Sequence, residues 1–384
     1  MANNVAGLTP DAQIRVLEVA RETSAMSRLV TNNYEAEAAA FGESVRINVL
    51  NDFEAESITP GVVPPTNATN DVTPTVNTLT LNQFYKSDFT LTSQELLKIS
   101  AGKSEAMDSA IRAVVNKIND SCTGLYSDVY NFVGTAGTTP FASTPAILKD
   151  SNVKLDLVAA PLEMRSIVLD PFSYNNATQL AILQQADQSG NTETLRDAIV
   201  RRAIGYDWAM DQKIATHTTT AAGDYAVDAI ATAGATSIVV DDAAGSLPTA
   251  MVVGDLLTIA GQTQQYVVTS YTAGSTEATV GISPALVADV ADGDVITEVT
   301  SHTANLAFHP QAFHLAVREE ANVAARLAEM GIQSAQLRQT ITDELSGLAL
   351  TFTVYEGYHQ TRMEVSALWG VVTARPEFAV RVLG

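Results

Sequence analysis

A single cysteine in 384 residues excludes an internal disulfide, so packing and hydrogen bonds alone must hold the fold. That residue, Cys122, falls on an apolar helical face and reads as a small core residue. No stretch approaches the roughly 20 apolar residues that a membrane span needs. Met1 to Thr9 has neither a basic start nor an apolar run, so it does not read as a secretory signal. Basic residues are also scarce: 22 Lys and Arg stand against 43 Asp and Glu, a formal charge of −21. Such a balance argues against non-specific binding to nucleic acid or an anionic membrane, both of which need positive fields. It does not forbid enclosing nucleic acid. Between Lys213 and Arg318 there is no Lys or Arg, yet Asp224, Asp228, Asp241, Asp242, Asp255, Glu277, Asp289, Asp292, Asp294 and Glu298 lie there.

Catalytic patterns are missing too. There is no GxGxxG, GxxxxGK, GxSxG, HExxH or CxxC. The histidines are scattered at 217, 302, 309, 314 and 359. His309 and His314 would face opposite ways on a strand, so they do not form a metal pair. Asp241-Asp242 and Asp292-Gly293-Asp294 read as solvated turns. The expectation is no enzyme, no cofactor and no metal.

What is present begins with Ser104 to Val133. Met107, Ile111, Val114, Val115, Ile118, Cys122, Leu125, Tyr126, Val129, Phe132 and Val133 recur at steps of three and four, one face of a helix. Such a rod would run roughly 45 Å at 1.5 Å per residue, stopped by Gly134. No partner helix adjoins it, so its stripe is expected to lie on a sheet built from the closing strands.

Before the rod, Thr9-Pro10-Asp11 caps a helix expected to run to about Val30, carrying Arg15, Arg21 and Arg28. The period then changes to two. Val45, Ile47 and Val49 alternate with polar residues, and Val76 to Leu91 reads as a return strand. The intervening tip, Ser57 to Pro74, holds four prolines and leaves Val62 and Val63 without a local partner. A loop this long is expected to rest on another subunit. Thr92-Ser-Gln-Glu95 is a capping box that opens a short helix.

After the rod the sequence predicts a strand over Arg165–Asp170, helices over Ser173–Gln185 and Glu193–Ala203, and a strand over Gly205–Met210. Leu180, Ile182 and Leu183 are expected inward. From 223 to 302 short strands alternate with turns: Ser237–Val240, Leu256–Ile259, Gln265–Ser270, Ala278–Ile282 and Val295–Val299. That spacing indicates an antiparallel sandwich or small barrel, inserted into an interrupted domain. Helical texture resumes over Arg318–Leu337. Strands follow over Leu348–Tyr358, Arg362–Ala374 and Phe378–Leu383.

This order of elements resembles the tailed-phage major capsid protein of the Hong Kong 97-type fold, in the branch with an inserted β-barrel. Asn305-Leu-Ala-Phe-His-Pro-Gln-Ala-Phe-His-Leu-Ala-Val317 is similar to that family's strand-turn-helix. Leu368-Trp-Gly-Val-Val-Thr-Ala-Arg-Pro-Glu-Phe-Ala-Val380 is similar to its closing strands. The resemblance covers essentially the whole chain and implies an α+β fold. Its parts would be an N-terminal arm (1–44), an E-loop hairpin (45–91) and a P-domain (92–158) with a spine helix (104–133). An A-domain would follow in two pieces (159–222 and 303–348), interrupted by the β insertion (223–302) and completed by closing strands (349–384).

The function so implied is a structural subunit that self-assembles as hexamers and pentamers into an icosahedral shell around double-stranded DNA. It would be located in the virion and assembled in the host cytoplasm. A separate scaffolding protein, a portal and a decoration protein are the implied partners; no membrane is involved. The chain starts at Met1, which is why the scaffold is expected to be a separate protein. No Lys lies between Arg46 and Lys86, so no covalent mesh through the loop is expected. At the subunit interface, Asp52, Glu54, Glu56, Val62 and Val63 of the loop are expected to meet Arg112 or Lys117 of a neighbour's spine helix. Three other readings stay open at this point: an encapsulin-type compartment shell, an acidic β-rich extracellular adhesin, and a hydrolase using scattered acids.

Overall fold

The computed structural model describes residues 25–32, 44–49, 72, 74–94, 105–142, 145–184, 197–220, 225–242, 245–318, 336–342 and 348–384. Strands β1 (Ser44–Val49) and β2 (Thr75–Thr80) pair antiparallel, with Val45 opposite Leu79. Strand β3 (Gln83–Thr92) and the long helix α1 (Glu105–Gly124) follow. Next come β4 (Phe132–Val133), helix α2 (Ala146–Leu157), β5 (Ser166–Leu169) and the short helices α3 (Pro171–Thr178) and α4 (Ala181–Gln184). After them lie β6 (Arg202–Ala203), β7 (Tyr206–Met210) and β8 (Thr216–His217). The next six strands are β9 (Tyr225–Val227), β10 (Ser237–Asp242), β11 (Leu256–Ile259), β12 (Gln265–Ala273), β13 (Ala278–Ser283) and β14 (Val295–Glu298). The chain closes with β15 (His302–Phe308), β16 (Phe313–Arg318), β17 (Gln336–Thr342), β18 (Ala349–Gly357), β19 (Gln360–Thr373) and β20 (Ala379–Leu383).

These elements make an α+β fold with a closed barrel. One mixed sheet of seven strands runs β4-β20-β15-β5-β7-β6, with β8 also on β15. A second, of five strands, runs β16-β19-β18-β17 with β3 on the other edge of β19. The barrel closes in the order β10-β13-β12-β11-β14-β9 around Tyr225, Val240, Leu257, Tyr266, Val280 and Ile296. The chain leaves the seven-stranded sheet at His217 and returns at His302, and these two residues are register partners. Exit and entry thus share one two-strand neck, which is how an insertion can be added without breaking the parent sheet.

Helix α1 forms because its apolar residues keep helical spacing and its interior has neither Gly nor Pro. Its stripe (Met107, Ile111, Val114, Val115, Ile118 and Cys122) is buried, and the helix packs against β3 and β19. The expected sheet partner is therefore observed. A polar chain pins the contact: Trp369 Nε1 donates to Ser121 Oγ (3.2 Å), which donates to Gln83 Oε1 (2.7 Å). On another side, buried Asn119 donates to Asp211 (2.7 Å) in the turn after β7.

The helix is shorter than its periodicity suggested. It ends at Gly124, passes through a 3-10 turn (Leu125–Asp128), and is extended by Phe132–Val133. Twenty residues span roughly 30 Å, not 45. Val129 and Val133 are buried as expected, but by a different route: β4 pairs in parallel with Arg381 and Val382, and no local signal reveals that partner. Gly134, at φ +95°, ends this strand under the carbonyl of Leu383 and does not stop a helix.

Other expectations are corrected by the same kind of long-range pairing. Val76–Leu91 is two strands: β2 closes the hairpin, and β3 joins the five-stranded sheet. Ser173–Gln185 is two short helices, the first capped by Asp170, whose carboxylate accepts from the Phe172 and Ser173 amides. Leu180 and Leu183 are buried, but Ile182 is exposed. No helix reaches Ala203, because Arg202–Ala203 is strand β6; most of Glu193–Ala203 lies outside the described residues. Arg318 ends strand β16 and Leu337 lies in β17, so neither bounds a helix; 319–335 lie outside the described residues. The stretch Asn305–Val317 is consequently strand-turn-strand. Helix α2 and strand β9 were not legible in advance. Of the N-terminal helix the described part is a 3-10 turn, Met26–Arg28, with Met26 buried in the main core. The hairpin tip, apart from Val72 and Pro74, and all but the first two helical residues after Thr92 also lie outside the described residues.

Cys122 is fully buried in this core, and burial pushes its thiol up to about 12. A thiol so protonated is a poor nucleophile. Titration with a disulfide reagent is expected to show no reaction with the native protein and one equivalent after unfolding.

Candidate assembly surface

The base of the β1–β2 hairpin is seated on the closing strands. Val45, Leu79 and Leu81 form a small cluster with Ala316 of β16 and Leu368 of β19. The seat is possible because residue 370 is glycine. A Cβ there would lie 2.2 Å from the Thr80 carbonyl oxygen and 2.8 Å from its carbon. Asn77 adds a hydrogen bond from its amide to the Ala374 carbonyl (2.8 Å). The hairpin's direction is thus fixed at its root by backbone against backbone. Beyond the root, Val76 and Phe84 stay about half exposed, at 48% and 54%.

On the exposed side of the five-stranded sheet, Lys86 and Arg362 alternate with Asp88 and Glu364. Arg362 meets Asp88 at 2.8 Å and Glu364 at 3.3 Å, and Lys86 meets Glu364 at 3.3 Å. This network joins β3 to β19 across a non-local pair, though each exposed bridge contributes only about 0–1 kcal/mol. On the helix side Lys117 sits over the Tyr85 ring, 5.4 Å from its centre, and Tyr85 in turn packs against Trp369.

Of the residues expected at an interface, Arg112 and Lys117 are exposed on α1. They are not brought together. Lys117 faces β3, whereas Arg112 lines a pocket of 360 Å³ with Ala25, Arg28, Asn116, Met210, Asp211, Gln212 and Lys213. Asp52, Glu54, Glu56, Val62 and Val63 lie outside the described residues.

A second surface joins the barrel to the seven-stranded sheet. Its apolar part is Tyr130, Leu256, Val267 and Leu383, with Phe132 and Val299 at the margin. Gln265 of β12 binds the backbone of Phe132 twice, accepting from its amide at 2.9 Å and donating to its carbonyl at 3.1 Å. Arg381 of β20 is fully buried, donates through Nη1 to the Gly254 carbonyl (2.8 Å) and lies over the Tyr126 ring. Burial pulls its pKa down to about 9.

Beside it, His217 Nε2 pairs with Asp255 Oδ1 (2.7 Å) and its Nδ1 with Tyr126 Oη (3.0 Å). Asp255 also accepts from the Val252 amide. Glu298 faces Asp255 and Tyr225, and burial followed by the Asp255 charge raises its carboxyl to about 7. His302 packs on His217 and is lowered to about 4, chiefly by burial. Two of the ten acids counted in the basic-poor segment are therefore buried in this seam, while Asp228, Asp241, Asp242, Glu277, Asp289, Asp292 and Asp294 keep contact with solvent. Among the described residues no group of His, Cys, Asp and Glu is arranged to hold a metal ion.

Comparison with solved structures gives this architecture a place. A chain of the cyanophage P-SCSP1u capsid superposes with a TM-score of 0.51 at 12% identity, covering 94% of this chain and 88% of that one. The fold is that of a phage capsid protein. A structure from Mycobacterium phage Che8 superposes with a TM-score of 0.50 at 13% identity, over 94% of this chain and 91% of that one. No protein-family model and no curated protein matches the chain. Likeness at this identity is a matter of architecture.

Sequence reasoning missed Gly370 and the buried seam. Gly370 did carry a signal, since a lone glycine within a strand marks a bulge or a close backbone approach. Arg381 carried one as well: an arginine in the middle of Ala-Val-Arg-Val-Leu is a charge inside an apolar strand.

Proposed function

We propose that this protein is a major capsid protein, a structural subunit that assembles with itself into an icosahedral shell enclosing double-stranded DNA. The observation that carries this reading is the match to a phage capsid chain over 94% of the sequence, together with a hairpin rigidly seated at its root. In this reading the architecture is of the Hong Kong 97 type. The β1–β2 hairpin is the E-loop, α1 with the five-stranded sheet forms the P-domain, and the seven-stranded sheet forms the A-domain. The barrel is the inserted domain. Hexamers and pentamers compose the shell, and a scaffolding protein, a portal and a decoration protein are its partners. The subunit belongs to the virion and assembles in the host cytoplasm.

At the interface, Asp52, Glu54, Glu56, Val62 and Val63 of one copy's loop pack on the spine helix of the next, at Arg112 or Lys117. Lys117 is favoured, because it stands exposed beside the half-open face of Tyr85. The acidic barrel faces outward, where its carboxylates repel their copies least and a decoration protein can reach them. Around Asp241, its own partial burial and then Asp228 raise the carboxyl pKa, the mark of crowded negative charge.

Expression of the full chain with its phage scaffold is expected to yield closed particles tens of nanometres across by negative-stain microscopy, holding nuclease-resistant duplex DNA after packaging. A monomer under all conditions would reject the shell; closed particles that never take up DNA would reject the viral reading. Replacing Glu54 and Glu56 together by Lys is expected to cut particle yield about tenfold, because a small loss per contact is repeated over every copy. An unchanged yield would reject that pairing and leave the shell standing.

A further inference from the structure

The 360 Å³ pocket beside α1 is lined by basic side chains. The chain carries 22 basic residues against 43 acidic ones, yet three of its cations meet here from three separate segments. Arg28 comes from the turn at Met26–Arg28, Arg112 from the first half of α1, and Lys213 from the turn after β7. All three are exposed to solvent. Asn116 lies one helical turn beyond Arg112, on the same face, and adds an amide donor to the wall.

The pocket's one carboxylate, Asp211, is directed inward. It is buried, one oxygen accepts from Asn119 Nδ2 (2.7 Å), and the other accepts from the Lys213 backbone amide (2.8 Å). Its role is to fix the turn that presents Lys213. What remains at the mouth is the Arg112 guanidinium, the Lys213 ammonium and the Asn116 amide, which can donate, with the Arg28 guanidinium beside them.

We propose that this pocket binds a phosphate group. Guanidinium forks match phosphate oxygens in a bidentate manner, and a lysine beside them adds a point charge. The volume is larger than one carboxylate side chain fills and accommodates a phosphodiester with part of its sugar. Two sources share this chemistry: free phosphate, and the backbone of the enclosed duplex. The second rests on the shell reading above; the first does not. A patch of this kind is compatible with an acidic chain that shows little general affinity for nucleic acid, because it makes few phosphate contacts per copy.

The test uses the unassembled full-length chain, so that its outcome is independent of whether particles form. Inorganic phosphate is titrated and followed by the width of its phosphorus resonance; a short DNA duplex is titrated by fluorescence anisotropy at several salt concentrations. An acidic peptide with the sequence of residues 50–60 is the competitor. Lys213→Gln and Arg112→Gln are both exposed and are expected to fold normally. Each is expected to weaken phosphate binding about tenfold, as loss of a charged hydrogen bond does. For the duplex, each is expected to lower the salt slope by about one.

Binding of both probes, weakened in both variants, supports the pocket with DNA as its occupant. Binding of phosphate without the duplex supports the pocket with free phosphate as its occupant. No binding of either probe, binding unchanged in the double variant, or binding of the peptide alone would overturn the proposal. Loss of particles with phosphate binding intact would reject the shell reading and not this one.

Discussion

Replacing Gly370 by alanine is expected to abolish normal particle assembly while leaving a folded subunit. The added Cβ would lie 2.2 Å from the Thr80 carbonyl oxygen, 2.8 Å from its carbon and 3.2 Å from Leu81 Cα. These are backbone atoms, so no side-chain rotation relieves the clash. Either β2 moves away from β19 by about an ångström, or β19 bulges, and both outcomes open the cluster of Val45, Leu79, Leu81, Ala316 and Leu368. Overpacking of this kind costs about 1–3 kcal/mol. In a chain of this length that is a thermal shift of only about 2–4 °C, because the entropy of unfolding scales with size. The larger effect is geometric. A shift of about 1 Å at the root re-aims the β1–β2 pair, and in the shell reading proposed above the contacts between copies inherit the error. Gly124→Ala provides the control. At φ −62° with nothing within 4 Å of its Cβ, alanine there is expected to stabilise the helix end by about 0.5–1 kcal/mol and leave assembly intact. Calorimetry with particle counting by electron microscopy reads both. Normal particles from the Gly370 variant would show that the hairpin root has slack.

The parts of this fold that were legible in the sequence are those decided locally. Five barrel strands could be placed within a few residues, because period-two apolar residues alternate with Gly and Asp turns. Helix α1 could be placed up to Gly124 for the matching reason at period 3.6. Beyond Gly124 the same spacing misleads: Val129 and Val133 are buried on the continuing stripe but through β4, whose partner is some 250 residues away. The helix expected over Arg318–Leu337 takes in the end of β16, which alternates Phe313, Leu315 and Val317 with His314, Ala316 and Arg318, and the start of β17, which does not alternate cleanly; the two strands pair with β19 and β18.

The sites divide in the same way. Arg112 and Lys117 could be picked out on an exposed helix, but not the grouping of Arg112 with Arg28 and Lys213. Asp255 and Glu298 stand in the sequence only as two of the ten acids of the basic-poor segment, 43 residues apart, and it is the closed barrel that brings them to one buried seam.

That seam makes the pH dependence of stability a sum of two opposed limbs. Glu298 holds its proton up to about pH 7 in the folded chain, against the usual carboxyl value of 4.5, because it is buried and faces Asp255, with Tyr225 as its other neighbour. The folded state is therefore favoured below 4.5, and that advantage is lost as pH rises toward 7. His302 behaves conversely. It is lowered from 6.5 to about 4 by burial, and Arg381 and His217 beside it oppose its charge more than Asp255 supports it. The folded state is favoured above 6.5, and that advantage is lost as pH falls toward 4. Each limb is worth about 3 kcal/mol at most, at 1.36 kcal/mol per pH unit. Between pH 4.5 and 6.5 their slopes are equal and opposite, so these two groups together give the wild type a nearly flat profile there.

Single substitutions are expected to uncover what cancels. Glu298→Gln keeps an amide able to donate to Asp255 and removes the first limb, so stability should climb with pH from 4 to 6.5. His302→Gln removes the second, so stability should fall as pH rises from 4.5 to 7. Thermal midpoints of the unassembled chain, measured in half-unit steps from pH 4 to 8, separate the cases. Slopes of opposite sign in the two variants establish the compensation; parallel profiles in all three proteins would show that neither group contributes a pH-dependent limb. A seam balanced in this way keeps the barrel docked with little change over two pH units, although it is built from some of the most costly groups to bury.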